Sequence, residues 1–261
     1  MTKPRTLVLR TAGTNCDWET AAAWEKAGAV AERIHVNRIA ENPALLHEFQ
    51  ILTIPGGFSY GDDVAAGAVF ANELEQRFGE ELYRFRDAGK LVLGICNGFQ
   101  VLVRTGLLPG IGNGERVATL DGNDSGKFED RWTYLMVDGA RCAFTQGMKE
   151  TVYFPVAHGE GRFVTSTPEI LEALQDGDQI VFRYADKNGK PANGRYPLNP
   201  NGSQGDVAGI CDPTGRILGM MPHPERHYLA LQHPSWTREG LKEEGDGLAV
   251  FRSGVRYASQ L

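Results

Sequence analysis

The residues with the clearest chemical potential are Cys96, which ends the run Leu91-Val92-Leu93-Gly94-Ile95, and the pair His223 and Glu225 in Pro222-His223-Pro224-Glu225-Arg226. A cysteine nucleophile needs a base to take its proton and a third group to orient that base. The run before Cys96 is short, apolar and rich in branched side chains, the pattern of a strand buried on both faces. After it, Phe99, Val101, Leu102 and Val103 begin a packed helix. A strand, a tight turn and a helix with the nucleophile at the corner make a nucleophile elbow, here with Cys in place of Ser. Gly94 and Gly98 permit the sharp turn and a close approach to a neighbouring strand. The positive end of the helix would favour the reactive thiolate. Taken alone, the stretch reads equally well as a buried cysteine acting as a small hydrophobe at a strand end.

The chain offers six histidines as a base. His35 and His47 fall in early elements that do not point toward the elbow, and His233 falls in a polar tail. That leaves His158 and His223, with His227 weaker. Prolines on both sides of His223 hold its backbone extended. Side chains two apart in an extended chain face the same way, so Glu225 would lie beside the imidazole. A solvent-exposed turn is the competing reading of that segment. Pro55-Gly56-Gly57-Phe58 supplies the remaining part, because glycine lets backbone N–H groups face a bound oxygen. The amides of Gly57 and of Asn97, the residue after Cys96, could together bind a tetrahedral oxyanion. Losing one such donor costs about 10²–10³ in rate. Standing alone, the two glycines would be an ordinary strand-to-helix turn.

These groups must be carried by an α/β scaffold. Strands are expected at 6–10, 31–36, 51–55 and 91–95, with helices from about 17 to 26, at 43–49 and at 68–88. Asp17 is expected to cap the first helix, with Trp18, Ala22 and Trp24 on its apolar side. Strands alternating with helices at this spacing indicate an open, mostly parallel sheet with helices on both faces. Ligands bind such sheets at the carboxyl ends of the strands, where both the Gly-Gly turn and Cys96 would lie. Short strands at 117–120, 132–137, 152–156, 179–184 and 207–211, with little helix between them, suggest antiparallel or mixed strands added to the same core. Residues 186–202 read as a long surface loop, 216–221 as another buried strand leading into His223, and 247–258 as a final helix.

A length of 261 residues with 41% hydrophobic content fits one large or two small domains and argues against disorder. The formal charge of -6 and the absence of a basic run interleaved with aromatics argue against nucleic-acid and membrane-surface binding. No apolar stretch approaches the length of a membrane span. The four cysteines form no CxxC pair, so neither a metal knuckle nor a disulfide framework is expected, and a cytoplasmic location is.

GICNGFQ (94–100), PGGFSYGD (55–62) and PHPER (222–226) resemble the class I glutamine amidotransferases. More narrowly they are similar to the glutaminases of phosphoribosylformylglycinamidine synthases, in de novo purine synthesis. Asn97 after the cysteine, and Phe99 where class I members generally carry His, mark that branch. GTNCD (13–17), PVAHGEGRF (155–163), YPLNPNGS (196–203) and GRILGMMPHPERH (215–227) extend the similarity over most of the chain. Ala12 departs from the Pro of many members, and the segment 229–246 is longer than in compact ones. The resemblance implies a flavodoxin-like amidotransferase domain over 1–261, with 229–261 as a C-terminal extension and final helix. It implies Cys96 as nucleophile, His223 as general base and acid, Glu225 as orienting carboxylate, and Gly57 and Asn97 as oxyanion amides. Gln100 and the Phe58 loop would hold the substrate, and His158 and Gly159 would border the glutamine pocket, near the α-carboxylate or the partner. The substrate would be L-glutamine. Its ammonia would pass to a large synthetase subunit, with a small accessory subunit in the complex. ATP and Mg belong to that synthetase, since this chain has no GxxxxGK[ST] loop, and no cofactor or metal is expected here. The rivals are a glutaminase serving another synthetase, a Cys-dependent hydrolase of the same architecture, and an inactive binding module. Asn97 counts against the hydrolase, which would place His there.

Overall fold

The computed structural model describes residues 2–111 and 115–261. The first half alternates strand and helix: β1 (Arg5–Arg10), α1 (Asp17–Ala27), β2 (Val30–His35), α2 (Val36–Glu41), β3 (Ile51–Ile54), α3 (Ala68–Asp87), β4 (Leu91–Ile95) and α4 (Asn97–Arg104). Each helix supplies the crossover that a parallel neighbour requires, and β2, β1, β3 and β4 pair in parallel in that order. The second half continues through β5 (Ala118–Asp121), β6 (Glu129–Val137), β7 (Thr151–His158), β8 (Arg162–Thr165), α5 (Pro168–Asp176), β9 (Ile180–Ala185), β10 (Val207–Cys211), β11 (Ile217–Met220), α6 (Trp236–Glu239) and α7 (Leu248–Ala258).

Among the described residues, nine strands form one sheet in the order β2-β1-β3-β4-β11-β10-β9-β6-β7, and β5 pairs with β8 apart from it. β11 is the hinge of the design. It runs parallel to β4 on one side and antiparallel to β10 on the other, and beyond it β9, β6 and β7 add antiparallel strands. The expected parallel sheet and the other expected added strands thus form one continuous layer, while the strand expected at 117–120 is β5 and lies outside it. β3, β4, β10 and β11 are buried along their whole length, which explains their unbroken apolar sequences. α3 turns Phe70, Leu74, Phe78, Leu82 and Phe85 to the sheet, an apolar stripe at helical spacing. α7 returns to α1, where Phe251 meets Trp24 edge-on at 5.0 Å.

Several expectations need correction. Trp18 is 68% exposed, with the Arg33 guanidinium over its ring. The inner face of α1 instead uses Ala21, Ala23 and Trp24, whose Nε1 donates to Thr53 Oγ1 at 2.9 Å. Cys16 occupies the N-cap position, and the Asp17 carboxylate pairs with Arg33 at 3.1 Å rather than capping. The loop 186–202 is superficial only in part: Ala192, Asn199 and Asn201 are buried. β8 and α5 lie where little regular structure was expected. His233 is no part of a polar tail, for it packs beside Trp132, Tyr153 and His227. No helix among the described residues is long and apolar enough to cross a membrane.

Candidate active site

Cys96 lies between β4 and α4 with φ 51° and ψ -105°, a conformation that an L-residue adopts only under constraint. The constraint is visible. Its N–H donates to Met220 O on β11 at 2.7 Å, and α4 leaves in a new direction at the next residue. That helix can sit so close to β3 because residue 98 is glycine: a Cβ there would lie 1.8 Å from Ile54 O. The thiol is 6% exposed and faces Ala157 O at 3.7 Å. Asn97 opens α4, so its backbone N–H has no acceptor within the helix.

The parallel pairing of β11 with β4 carries the segment after β11 to the same sheet end. His223 N donates to Pro155 O at 2.8 Å, which fixes the backbone there. Nδ1 of His223 donates to Glu225 Oε1 at 2.6 Å, with both side chains almost fully buried. The expected pairing is therefore present, but not through an extended chain. Residues 224–226 form one 3₁₀ turn, and the competing solvent-exposed reading is excluded by burial. Burial alone would lower the proton affinity of His223. The Glu225 carboxylate, helped by Cys96 and by Cys16, outweighs it and raises the pKa well above the ordinary value. Nε2, the nitrogen turned away from Glu225, has no hydrogen-bond partner. This is the arrangement of an oriented base beside a nucleophile.

Gly57 has φ 142°, and a Cβ on it would lie 2.7 Å from Asn15 N, so glycine is required. It is bridged to Thr14 by bonds from Cys16 N to Gly56 O and from Phe58 N to Gly13 O, which leave its own N–H uncommitted to that bridge. The side chain of Asn97 ties the two glycine-rich turns together. Its Oδ1 accepts from Ser59 Oγ at 2.6 Å, and its Nδ2 donates to Asp62 Oδ1 at 3.2 Å and to Gln100 Oε1 at 3.0 Å.

Gln100 donates through Nε2 to Glu160 O at 2.6 Å, so both ends of its amide are committed within the protein. Phe58 is 46% exposed and stacks on Phe128 at 6.3 Å, a rim position. His158 is buried, donating through Nδ1 to Asn123 Oδ1 at 3.0 Å, with Asn201 Nδ2 3.5 Å from Nε2. Burial, then the nearby charge of His223, lowers its pKa to about 3. Both of its ring nitrogens thus face side-chain amides within the protein. Gly159 is exposed, its carbonyl accepting from Asn123 N at 2.9 Å. His227 donates through Nδ1 to Tyr153 O at 2.7 Å and is buried away from solvent.

Residues 3–258 match the family described as the CobB/CobQ-like glutamine amidotransferase domain. The chain belongs to that family. The amidotransferase is 52% identical over 263 residues, covering all of both chains, to a protein named phosphoribosylformylglycinamidine synthase subunit PurQ from Dehalococcoides mccartyi. A protein of the same name from Methanococcus maripaludis is 43% identical over 97% of each chain. Among solved structures, that titled PurLQS from Thermotoga maritima superimposes with a TM-score of 0.75 and 31% identity, covering 98% of this chain and 99% of the other.

One residue of the amidotransferase site went unremarked in the sequence. Cys16, just before α1, is buried and accepts a hydrogen bond from Arg226 Nη2 at 3.1 Å through its sulfur. Burial raises its thiol pKa, a rise opposed by its contact with His223. Ligand atoms of Cys16, His223 and Glu225 all lie within 4.8 Å of one another. The available signal was position, since GTNCD follows β1 at the sheet end where ligands bind.

Proposed function

We propose that this amidotransferase is the glutaminase subunit of phosphoribosylformylglycinamidine synthase. It hydrolyses L-glutamine and delivers the ammonia to a synthetase subunit, which converts formylglycinamide ribonucleotide to formylglycinamidine ribonucleotide with ATP. The observation that carries the chemistry is His223 held by Glu225 at 2.6 Å behind the Cys96 elbow. The choice of partner is supported by full-length relatives bearing the PurQ name and by the PurLQS assembly from Thermotoga maritima. A large synthetase subunit and a small accessory subunit complete the proposed complex. The four cysteines of this chain are all free, as the reducing cytoplasm would keep them.

In the proposed reaction the Cys96 thiolate attacks the side-chain amide carbon of glutamine. The oxygen that gains charge faces the backbone amides of Gly57 and Asn97. His223, charged beside Glu225, donates a proton to the departing nitrogen as the C–N bond breaks, leaving a γ-glutamyl thioester and ammonia. Neutral His223 then takes a proton from water, which attacks the thioester and releases glutamate and the thiol. Cys96 and His223 are nearly sealed here, so glutamine entry requires the rim around Phe58 to move. ATP and Mg act on the synthetase, and this chain's residues need no cofactor for their part.

The test is a glutaminase assay of the chain with and without purified synthetase, ATP and the ribonucleotide. Cys96→Ala should abolish glutamine-dependent synthesis and leave ammonia-dependent synthesis intact. Glutamine-supported turnover by that variant would remove Cys96 from the mechanism.

A further inference from the structure

The mechanism uses Cys96, His223 and Glu225, and it leaves Cys16, a second buried thiol against the same imidazole, without a task. We propose that Cys16 Sγ, His223 Nε2 and Cys96 Sγ form a site for a soft divalent cation of the zinc or cadmium class, which blocks the amidotransferase when filled. The inhibitory consequence rests on the catalytic reading; the binding itself does not.

Three side chains converge on one face of Gly56. A point one bond from its Cα lies 2.8 Å from His223 Cε1, 3.1 Å from Cys16 Sγ and 3.5 Å from Cys96 Cβ. Only glycine at 56 keeps that space open. Nε2 of His223 is buried and unpartnered, while Nδ1 is held by Glu225. A carboxylate on one ring nitrogen and a free lone pair on the other is how metal-binding histidines are oriented. Two sulfurs and one imidazole select zinc-like ions over magnesium or calcium.

Distances and charge agree with this. Zn–S bonds of about 2.3 Å and Zn–N bonds of about 2.0–2.1 Å set tetrahedral ligands roughly 3.5 Å apart. Donor atoms of Cys16, His223 and Glu225 already lie within 4.8 Å of one another. Cys96 Sγ, which faces Ala157 O, joins Cys16 and His223 by rotation about its Cα–Cβ bond. Two thiolates and a dication sum to zero, and the Arg226 guanidinium stands against the Glu225 carboxylate, so the filled site is close to neutral. Arg226 Nη2, already donating to Cys16 Sγ, steadies the sulfur from outside the ligand shell. Binding replaces the protons of both thiols, and any proton on Nε2, and releases them to solvent. With the nucleophile's sulfur and the base's nitrogen both on the metal, neither can act.

Cadmium titration of the metal-free chain, followed by the thiolate-to-cadmium absorption band, reads binding without reference to catalysis. The intact chain should take up one equivalent. Cys96→Ala should lose about half of the band, one thiolate of two. Cys16→Ala and Cys16→Ser should weaken binding by at least the roughly 10–100-fold typical of losing an outer-shell partner. Zinc inhibition of glutaminase activity in the assembled complex, scaled to each variant's own uninhibited rate, should move by the same factor. The serine variant guards against a misfolded alanine variant. Cadmium uptake or zinc inhibition unchanged in both Cys16 variants would overturn the proposal, as would no uptake by the intact chain. A Cys16-dependent band in a complex without glutaminase activity would keep the metal site and overturn the catalytic reading instead.

Discussion

Two buried histidines, His223 after β11 and His158 at the end of β7, occupy similar places at one end of the sheet and have opposite chemistry. Both are at most 3% exposed. His223 meets a carboxylate at 2.6 Å, and its pKa is raised well above the ordinary value. His158 meets the amides of Asn123 and Asn201, and its pKa falls to about 3. Burial is common to both, so burial does not make a general base. The partner does, because a fixed negative charge offsets the desolvation of imidazolium and an amide does not. One contact set holds an imidazolium, and the other holds a turn in place.

The comparison breaks most visibly at His223. His223→Ala should lower glutamine-dependent turnover by about 10²–10⁴-fold, the usual worth of a positioned acid and base. His158→Asn should change mainly stability, so an equal loss of turnover in folded protein would end the contrast. Glu225→Gln should cost less activity than His223→Ala. It should also move the His223-dependent limb of the pH–rate profile to lower pH, since burial then acts without its counterweight. An unmoved limb would detach Glu225 from the imidazole.

Stability should follow the same division. For His158 the unfolded chain binds a proton near pH 6.5 and the folded chain only near 3. Stability should therefore fall as the pH drops through that window, at up to about 1.4 kcal/mol per pH unit. His223 has the opposite sign: its contribution is full below its ordinary value of 6.5 and is lost as pH rises through its higher folded value. Urea denaturation across pH would show both slopes. The smallest and sharpest test is Asn123→Asp, which gives His158 a carboxylate of its own. Its pKa, followed by NMR, should climb by about 1–3 pH units, and the acid loss of stability should flatten.

The sequence made the nucleophile side of the site readable because each cue there is local. An unbroken apolar strand, Cys96 and the flanking glycines lie within a few residues of one another. The His223–Glu225 pair was also legible, though the 3₁₀ turn at 224–226 and not an extended chain brings it about. What escaped was set by distant contacts. Cys16 gains its place from Arg226, 210 residues away in sequence. The Gln100 amide is held by Glu160 O and by Asn97, and the Glu160 contact spans 60 residues of sequence. His158 is braced by Asn123 and Asn201, 35 and 43 residues away in sequence. α5 carries a local signal, Pro168 at the helix start followed by EILEALQD, which the many turns nearby mask.

The pairing of β11 with β4 also sets an order of events in the life of the chain. Every strand from β5 to β10 is made between β4, which leads into Cys96, and β11, which leads into His223. During synthesis the elbow strand leaves the ribosome long before its neighbour exists, and closing so distant a contact is slow. On the proposed mechanism a growing or truncated chain holds a thiol without a base, and so cannot release ammonia where no synthetase waits to receive it. Competence arrives only after the PHPER turn has emerged and β11 has slotted between β4 and β10.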